Sequence, residues 1–176
     1  MRLRRSRSRF PGRSALAALI LLPALLAAGC GQADPTTPEA CTNDPASWSE
    51  ALASAPEPVR IFGEAAISDC LPENQAAGKQ ATVGELALRV ATGLARAERS
   101  GGRALPTDRD RLTPVEAATR AGYLVGALER GAAETGGIHA ALVDRVESAA
   151  TNGLEERPAA VREAYEAGRQ AGLESG

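Results

Sequence analysis

The chain has very little histidine and no methionine beyond its first residue. His139 is the single histidine and Met1 the single methionine in 176 residues. Zinc motifs built on two histidines are therefore excluded, and histidine–methionine haem ligation lacks its methionine. A serine–histidine–acid triad would depend on His139 alone, and the sequence contains no Gly-x-Ser-x-Gly turn. We therefore expect no catalytic residue, no cofactor and no metal.

Basic residues become scarce after the first 29 positions. The whole chain has 20 basic and 22 acidic residues, and six arginines but no acid lie within residues 1–29. The remainder thus carries 14 basic against 22 acidic residues, a net charge of −8. Such a charge repels nucleic acid, because proteins that bind it need a basic face to neutralise phosphates. We therefore expect no nucleic-acid partner.

Residues 1–29 follow the three-part plan of an export signal. An arginine-rich start precedes an apolar run from Ala15 to Ala28, and Ala27-Ala28-Gly29 stands directly before Cys30. This ending resembles the lipobox of bacterial lipoproteins. The resemblance implies that the Cys30 thiol receives a diacylglyceryl group and that a dedicated signal peptidase cuts before it. The mature protein would then be lipid-anchored on the outer face of a cell membrane. The membrane is therefore one expected binding partner, through the lipid.

Two other interpretations of this segment stay open. A membrane-spanning helix is disfavoured, because the run is shorter than the roughly 20 residues that a bilayer requires and Pro23 interrupts it. An ordinary signal peptide cut nearby would leave a free cysteine. We favour a lipoprotein signal peptide at 1–29 and a lipid-anchored tether at 30–40, which is polar and contains Pro35 and Pro38. A helical domain is then expected at 41–173.

Lipidation of Cys30 would leave Cys41 and Cys70 in an oxidising compartment. Two cysteines in that setting usually pair. The bridge would close a loop with a sequence separation of 29 residues. Chain-entropy reasoning gives such a loop a stabilisation of roughly 3–4 kcal/mol. We therefore predict a Cys41–Cys70 disulfide, with two free thiols as the alternative.

Helix signals dominate residues 41–173, and no stretch alternates with the period of a strand. Asp44-Pro45 predicts a helix start, Thr113 to Glu116 has the pattern of a capping box, and Pro158 starts the last helix. A second apolar segment covers 59–69, and a regular apolar stripe begins at Val83. The positions expected to face the core are Trp48, Leu52, Val83, Leu86, Val90, Leu94, Ala97, Ile138, Leu142, Val146 and Ala149. The pattern predicts an all-α fold, a small bundle of four to six helices.

Small residues recur at a spacing of four on two of the predicted helices. Gly122 and Gly126 share one face of the first, and Gly168 and Gly172 share one face of the second. A glycine inside a helix costs roughly 1 kcal/mol relative to alanine, so four of them require an offsetting gain. We predict that these two helices pack with their backbones in close contact.

The sequence does not name a ligand. We expect a non-enzymatic module that binds another envelope protein or a small ligand, and the alternative is a carboxylate-dependent enzyme acting on envelope material. Asp108-Arg109-Asp110 resembles the start of a calcium loop, but Thr113 and Thr119 stand at its glycine and bidentate acid positions. We expect His139, near a predicted helix start, to be solvated. Paired acids lining a pocket would favour the enzyme.

The predicted bridge can be tested on the intact protein. Because the bridge removes two thiol protons, reduction should raise the intact mass by the mass of two hydrogens. Alkylation before reduction should leave Cys41 and Cys70 unmodified. Alkylation of both residues without a reductant would contradict the pairing.

Overall fold

The structure, a computed structural model, describes residues 36–100 and 112–176. Five α-helices are present in these ranges: α1 (Pro45–Ala51), α2 (Ala77–Ser100), α3 (Pro114–Glu134), α4 (Ala140–Ala150) and α5 (Ala159–Ser175). Three short 3-10 turns cover Glu39–Thr42, Leu52–Ser54 and Ser68–Cys70. The described residues contain no strand. The predicted all-α bundle of four to six helices is confirmed.

The helices α1 and α3 begin where the sequence predicts them. The Asp44 carboxylate accepts hydrogen bonds from the backbone N–H groups of Ala46 and Ser47, at 2.8 and 3.1 Å. At α3 the Thr113 hydroxyl accepts from the Glu116 N–H at 3.2 Å, and the Glu116 carboxylate accepts from the Thr113 N–H at 2.8 Å. These bonds satisfy backbone donors that a helix start otherwise leaves unpaired.

The core is built from the predicted apolar faces. Trp48, on α1, is fully buried next to α2, and Leu52, in the 3-10 turn that follows α1, is fully buried next to α3. The stripe of α2 from Val83 to Ala97 faces inward. The middle of α3 is buried on all sides, because residues 121–128 contact other elements around the whole helix. The helix α3 is therefore the centre of the bundle, and α2, α4 and α5 pack around it.

The segment 59–69 departs from a helical interpretation. It contains no α-helix and turns back on itself through an isolated bridge between Ile61 and Ala65. Phe62 and Gly63 adopt positive φ angles of 54° and 73°, which no right-handed helix contains. Val59, Ile61 and Ile67 are nevertheless fully buried, whereas Phe62 is 57% exposed. The apolar residues thus anchor an irregular loop.

The predicted inward position of Ile138 is wrong. Gly136 and Gly137 adopt left-handed φ angles of 66° and 82°, so α4 begins only at Ala140. Ile138 lies before the helix and is 55% exposed. Leu142 and Val146 are buried as predicted, and Ala149 is half-buried beside the buried Ala150.

The contact between α3 and α5 is the most extensive in the bundle. A Cβ atom on Gly126 would collide with the Arg169 carbonyl oxygen and lie 2.9 Å from the Leu173 nitrogen. A Cβ atom on Gly122, Gly168 or Gly172 would likewise collide with backbone of the facing helix. The predicted close approach of these two helices is therefore confirmed. Arg169 reinforces it by donating two hydrogen bonds to the Glu129 carboxylate oxygen Oε1, at 3.1 and 2.7 Å.

The sequence predicts that the helical domain starts at residue 41, but the packed structure begins a few residues earlier. Thr37 is buried, and its hydroxyl accepts a hydrogen bond from the Gln75 amide at 3.0 Å. Lys79 donates to the Thr37 carbonyl oxygen at 3.3 Å. Residues 37–40, placed in the predicted tether, therefore lie against the start of α2.

A matched pair of glycine substitutions tests the backbone contact. Gly126→Ala should destabilise the protein by about 1–3 kcal/mol, because its Cβ displaces backbone that cannot move independently. Gly93→Ala should instead stabilise it by about 0.5–1 kcal/mol, because Gly93 is an exposed mid-helix glycine and alanine is the better helix former. Apart from its own helical turns, no atom of the described residues lies within 4 Å of a Cβ built on Gly93. Urea unfolding followed by the fluorescence of Trp48, the single tryptophan, measures both. A change of the same sign in the unfolding free energy of both variants would contradict the close backbone contact at Gly126.

Candidate functional site

The three predicted cysteine sites have different outcomes. Cys30 lies outside the described residues. Cys41 and Cys70 form the predicted disulfide, with their Cα atoms 5.4 Å apart and both side chains fully buried. The bridge joins the first 3-10 turn to the one that ends at Cys70, and it encloses α1. Asp108 and Asp110, in the loop considered for calcium, also lie outside the described residues.

The segment from Cys41 to Cys70, called the bridged segment below, contacts α3 at two points. The Val59 N–H donates a hydrogen bond to the Tyr123 hydroxyl oxygen at 2.9 Å. A Cβ on Gly131 would lie 2.6 Å from the Ser68 carbonyl oxygen, so Gly131 admits the backbone of this segment directly onto α3. The disulfide thus joins the two ends of this segment, and a hydrogen bond and a close backbone contact hold the segment on α3.

The prediction that His139 is solvated is wrong. The side chain is 2% exposed. Its Nε2 lies 3.1 Å from the Pro72 carbonyl oxygen, and its Nδ1 lies 3.2 Å from the Gln80 amide nitrogen. A carbonyl oxygen only accepts, so His139 donates from Nε2 to Pro72, while its Nδ1 faces the Gln80 amide nitrogen. The ring thereby links the start of α4 to α2 through Gln80 and to the segment before α2 through Pro72.

A buried ion pair lies near the C-terminal end of α2. Glu98 is 3% exposed, and its Oε1 lies 3.2 Å from the Arg157 Nε, although the two groups are not aligned as a hydrogen bond. Burial raises the pKa of the Glu98 carboxyl, and the nearby Arg157 and Arg99 oppose that shift. Arg157 lies in the connection between α4 and α5, so the ion pair links this connection to α2. We therefore assign the ion pair a structural role.

A polar cleft of about 440 Å³ lies where α4 ends and α5 begins. One of its lining residues is Tyr165 of α5, which is 2% exposed. Glu147 stands at the end of α4, and Glu166 stands beside Tyr165 on α5. The complete lining is Glu147, Thr151, Gly153, Leu154, Glu155, Glu156, Arg162, Tyr165 and Glu166. Four carboxylates and one guanidinium give this cleft a negative charge, and it has the size of a small-ligand site.

The Tyr165 hydroxyl is the unusual group in the cleft. Its oxygen is buried and has no hydrogen-bond partner among the described residues. Burial, followed by the Glu147 carboxylate, raises the pKa of Tyr165 far above its ordinary value. The hydroxyl therefore stays neutral, with a lone pair that can accept a hydrogen bond. A buried polar group without a partner is uncommon in folded proteins and requires an explanation.

The helix end adds to the negative potential of this cleft. The last carbonyl groups of a helix carry partial negative charge, and α4 has no basic residue in its last turn. Arg162 is directed elsewhere, since its guanidinium donates to the carbonyl oxygen of Arg157. The charge of the cleft therefore favours a cation over an anion.

A second concavity, of about 540 Å³, lies between α2 and α4. It is largely apolar, with Ala81, Gly84 and Leu142 in its wall. Its amide, Gln80, is already hydrogen-bonded to His139, and its charged residues Glu85 and Arg145 stand on different helices. No set of unpaired polar groups converges in it, so the Tyr165 cleft is the better candidate site.

No protein-family model, no curated protein sequence and no solved structure matches this chain. Within residues 36–100 and 112–176, no three His, Cys, Asp or Glu side chains are grouped to hold a metal ion. No helix in these ranges is both long enough and apolar enough to cross a membrane.

Sequence reasoning did not find the Tyr165 cleft. Its acids come from α4, from α5 and from the connection between them, and no local motif joins them. The available signal was a tyrosine on the glycine-lined face of the last helix, together with an acid at the end of the preceding one. In the part of the chain that the structure describes, the acids of this cleft are the group that bears on the enzyme alternative.

The two tyrosines provide a matched test of the site. Tyr123→Phe should destabilise the protein by about 1–3 kcal/mol, because it leaves the buried Val59 N–H without a partner. Tyr165→Phe should change the stability by less than about 0.5 kcal/mol, because it removes a hydroxyl that is not hydrogen-bonded. Thermal or urea unfolding measures both. A large loss of stability in Tyr165→Phe would show that its hydroxyl has a structural partner and would remove the candidate site.

Proposed function

We propose that this protein is a bacterial lipoprotein whose helical domain is a non-enzymatic binding module on the outer face of a cell membrane. In this proposal Cys30 carries the lipid, residues 1–29 are removed, and a short tether joins the anchor to the domain. The partners are the membrane, through the lipid, and a ligand or protein of the envelope.

The pairing of the cysteines supports this proposal most strongly. Cys41 and Cys70 are bonded to each other, which leaves Cys30 as the remaining cysteine of three. A structural disulfide is typical of exported proteins and rare in reducing compartments. The remaining cysteine is also the one that follows the apolar run and the small residues of the lipobox pattern.

The geometry near the tether agrees with a domain held close to the bilayer. Thr37 is packed against the start of α2, so the domain begins seven residues after Cys30 in sequence. Seven extended residues reach about 25 Å at most. The proposed module would therefore act at the membrane surface, on ligands or partners that are found there.

A carboxylate-dependent enzyme acting on envelope material remains the second proposal. The group of acids in the Tyr165 cleft is the observation in its favour. Against it, Glu98, the carboxyl whose pKa burial raises, does not line the cleft and is paired with Arg157. Turnover of isolated envelope material that is lost in Glu147→Gln would replace the binding proposal with this one.

Replacement of the lipidated residue tests the anchor. Cys30→Ser should abolish diacylglyceryl labelling and move the protein out of the detergent phase, because serine lacks the thiol that accepts the lipid. The matched control is the double variant Cys41→Ser, Cys70→Ser, which loses the bridge and should stay in the detergent phase. Detergent-phase partition followed by intact mass measures both. An unchanged partition of Cys30→Ser would overturn the proposed anchoring.

A further inference from the structure

The chain enters the domain beside the starts of α2 and α4. The Thr37 hydroxyl accepts from the Gln75 amide, just before α2, and the Thr37 carbonyl oxygen accepts from Lys79 in the first turn of α2. His139, just before α4, donates to the Pro72 carbonyl oxygen, which belongs to the same stretch as Gln75. The end of the proposed tether, the start of α2 and the turn that leads into α4 therefore share one end of the bundle.

This end of the bundle presents an apolar side chain among small ones. Ile138 is exposed in the turn before α4, where it follows the left-handed Gly136 and Gly137. Neither α2 nor α4 has an acidic residue in its first turn. Exposed small residues occupy both helix starts, and together with Ile138 we call them the entry surface: Ala77, Gly78, Ala81, Ala140 and Ala141. Three of its alanines also line the apolar concavity between α2 and α4.

We propose that the entry surface contacts the lipid bilayer, with the Ile138 side chain in the interfacial layer between headgroups and acyl chains. The inference rests on the proposed function, because the lipid on Cys30 holds the domain at the membrane. It identifies the side of the domain that faces the bilayer, and it identifies lipid as the partner that covers Ile138.

The length of the tether selects this side. Cys30 and Thr37 are seven residues apart, which allows about 25 Å at most. Val115, an exposed residue at the start of α3, lies at the opposite end of the bundle, because α3 runs toward the turn that contains Ile138. The 21 residues of α3 separate its two ends by about 30 Å. An inverted domain, with Val115 on the bilayer, would therefore require more length than the tether has.

The anchor makes one isoleucine sufficient for this contact. A single aliphatic side chain binds a bilayer only weakly, but a domain already confined to the membrane surface needs only a preference among its orientations. The chain after residue 29 has a negative net charge, so anionic lipid does not attract it. The contact is therefore apolar, and we expect it in zwitterionic lipid at both low and high salt concentration.

The test uses the lipidated protein as isolated from the membrane, with a single copy in each phosphatidylcholine nanodisc. The disc contains a lipid with a gadolinium chelate on its headgroup, which broadens nearby amide signals. Proton–nitrogen NMR compares Gly136 and Gly137 with Glu116 and Ala117. Because this broadening falls steeply with distance, we expect the two glycines to lose most of their signal intensity. The two α3 residues should keep most of theirs.

Two variants separate the contact from the effect of the tether alone. Ile138→Ser should remove most of the difference in intensity loss between the two groups, because the domain loses its preferred orientation. Val115→Ser is the matched control and should leave the difference unchanged. Both replaced residues are β-branched and similarly exposed, at 55% and 44%, so both variants are expected to fold. Unfolding followed by Trp48 fluorescence verifies this.

Several results would overturn the inference. Equal broadening of the two groups would show no preferred orientation, and a difference that persists in Ile138→Ser would assign the orientation to the tether. Broadening centred on Gly63 would assign the contact to the exposed Phe62 instead. A difference that requires phosphatidylglycerol would show an electrostatic contact, and one that requires two copies in a disc would show contact between copies.

Intact mass separates this inference from the proposed function. A chain without the diacylglyceryl group overturns the proposed anchoring, and the inference fails with it. A lipidated chain in which the two groups broaden equally overturns the inference alone.

Discussion

Four glycines let the backbones of α3 and α5 touch, and the positions of the other helices follow from that contact. Where a Cβ of Gly126 would stand, the carbonyl group of Arg169 is found instead. Close approaches of this kind bring Cα–H groups toward carbonyl oxygens, a weak attraction that recurs at helix interfaces. With α5 seated in this way, α3 keeps the rest of its surface for α2, α4 and the bridged segment.

The same contact places the two tyrosines of the chain in different roles. Tyr123 projects from α3 toward the bridged segment, where its hydroxyl accepts from Val59 and meets the Ser175 hydroxyl at 3.1 Å. Tyr165 projects from α5 toward the end of α4 and has no such partner among the described residues. One buried hydroxyl is therefore explained by folding, whereas the other is not.

Local signals in the sequence were sufficient for most of the fold. The caps at Asp44 and Thr113, the stripe on α2 and the glycine spacing each depend on residues within one helix, and the structure contains all of them. The exceptions depend on residues far apart in sequence. His139 is buried because Gln80 and Pro72 accommodate it, 59 and 67 positions away. The Tyr165 cleft likewise needs two helices and their connection, which periodicity along one helix cannot reveal.

The disulfide joins two residues that both precede α2, and this has a consequence for the protein in reducing surroundings. The covalent ring contains α1 and the exposed Phe62, but no part of the contact between α3 and α5. Opening the bridge would remove the covalent link between the two ends of this segment, whereas Val59, which donates to Tyr123, and Ser68, which donates to Gly176, make their contacts without it. Reduction would therefore act directly on the 41–70 segment and only indirectly on the contact between α3 and α5, which contains no cysteine.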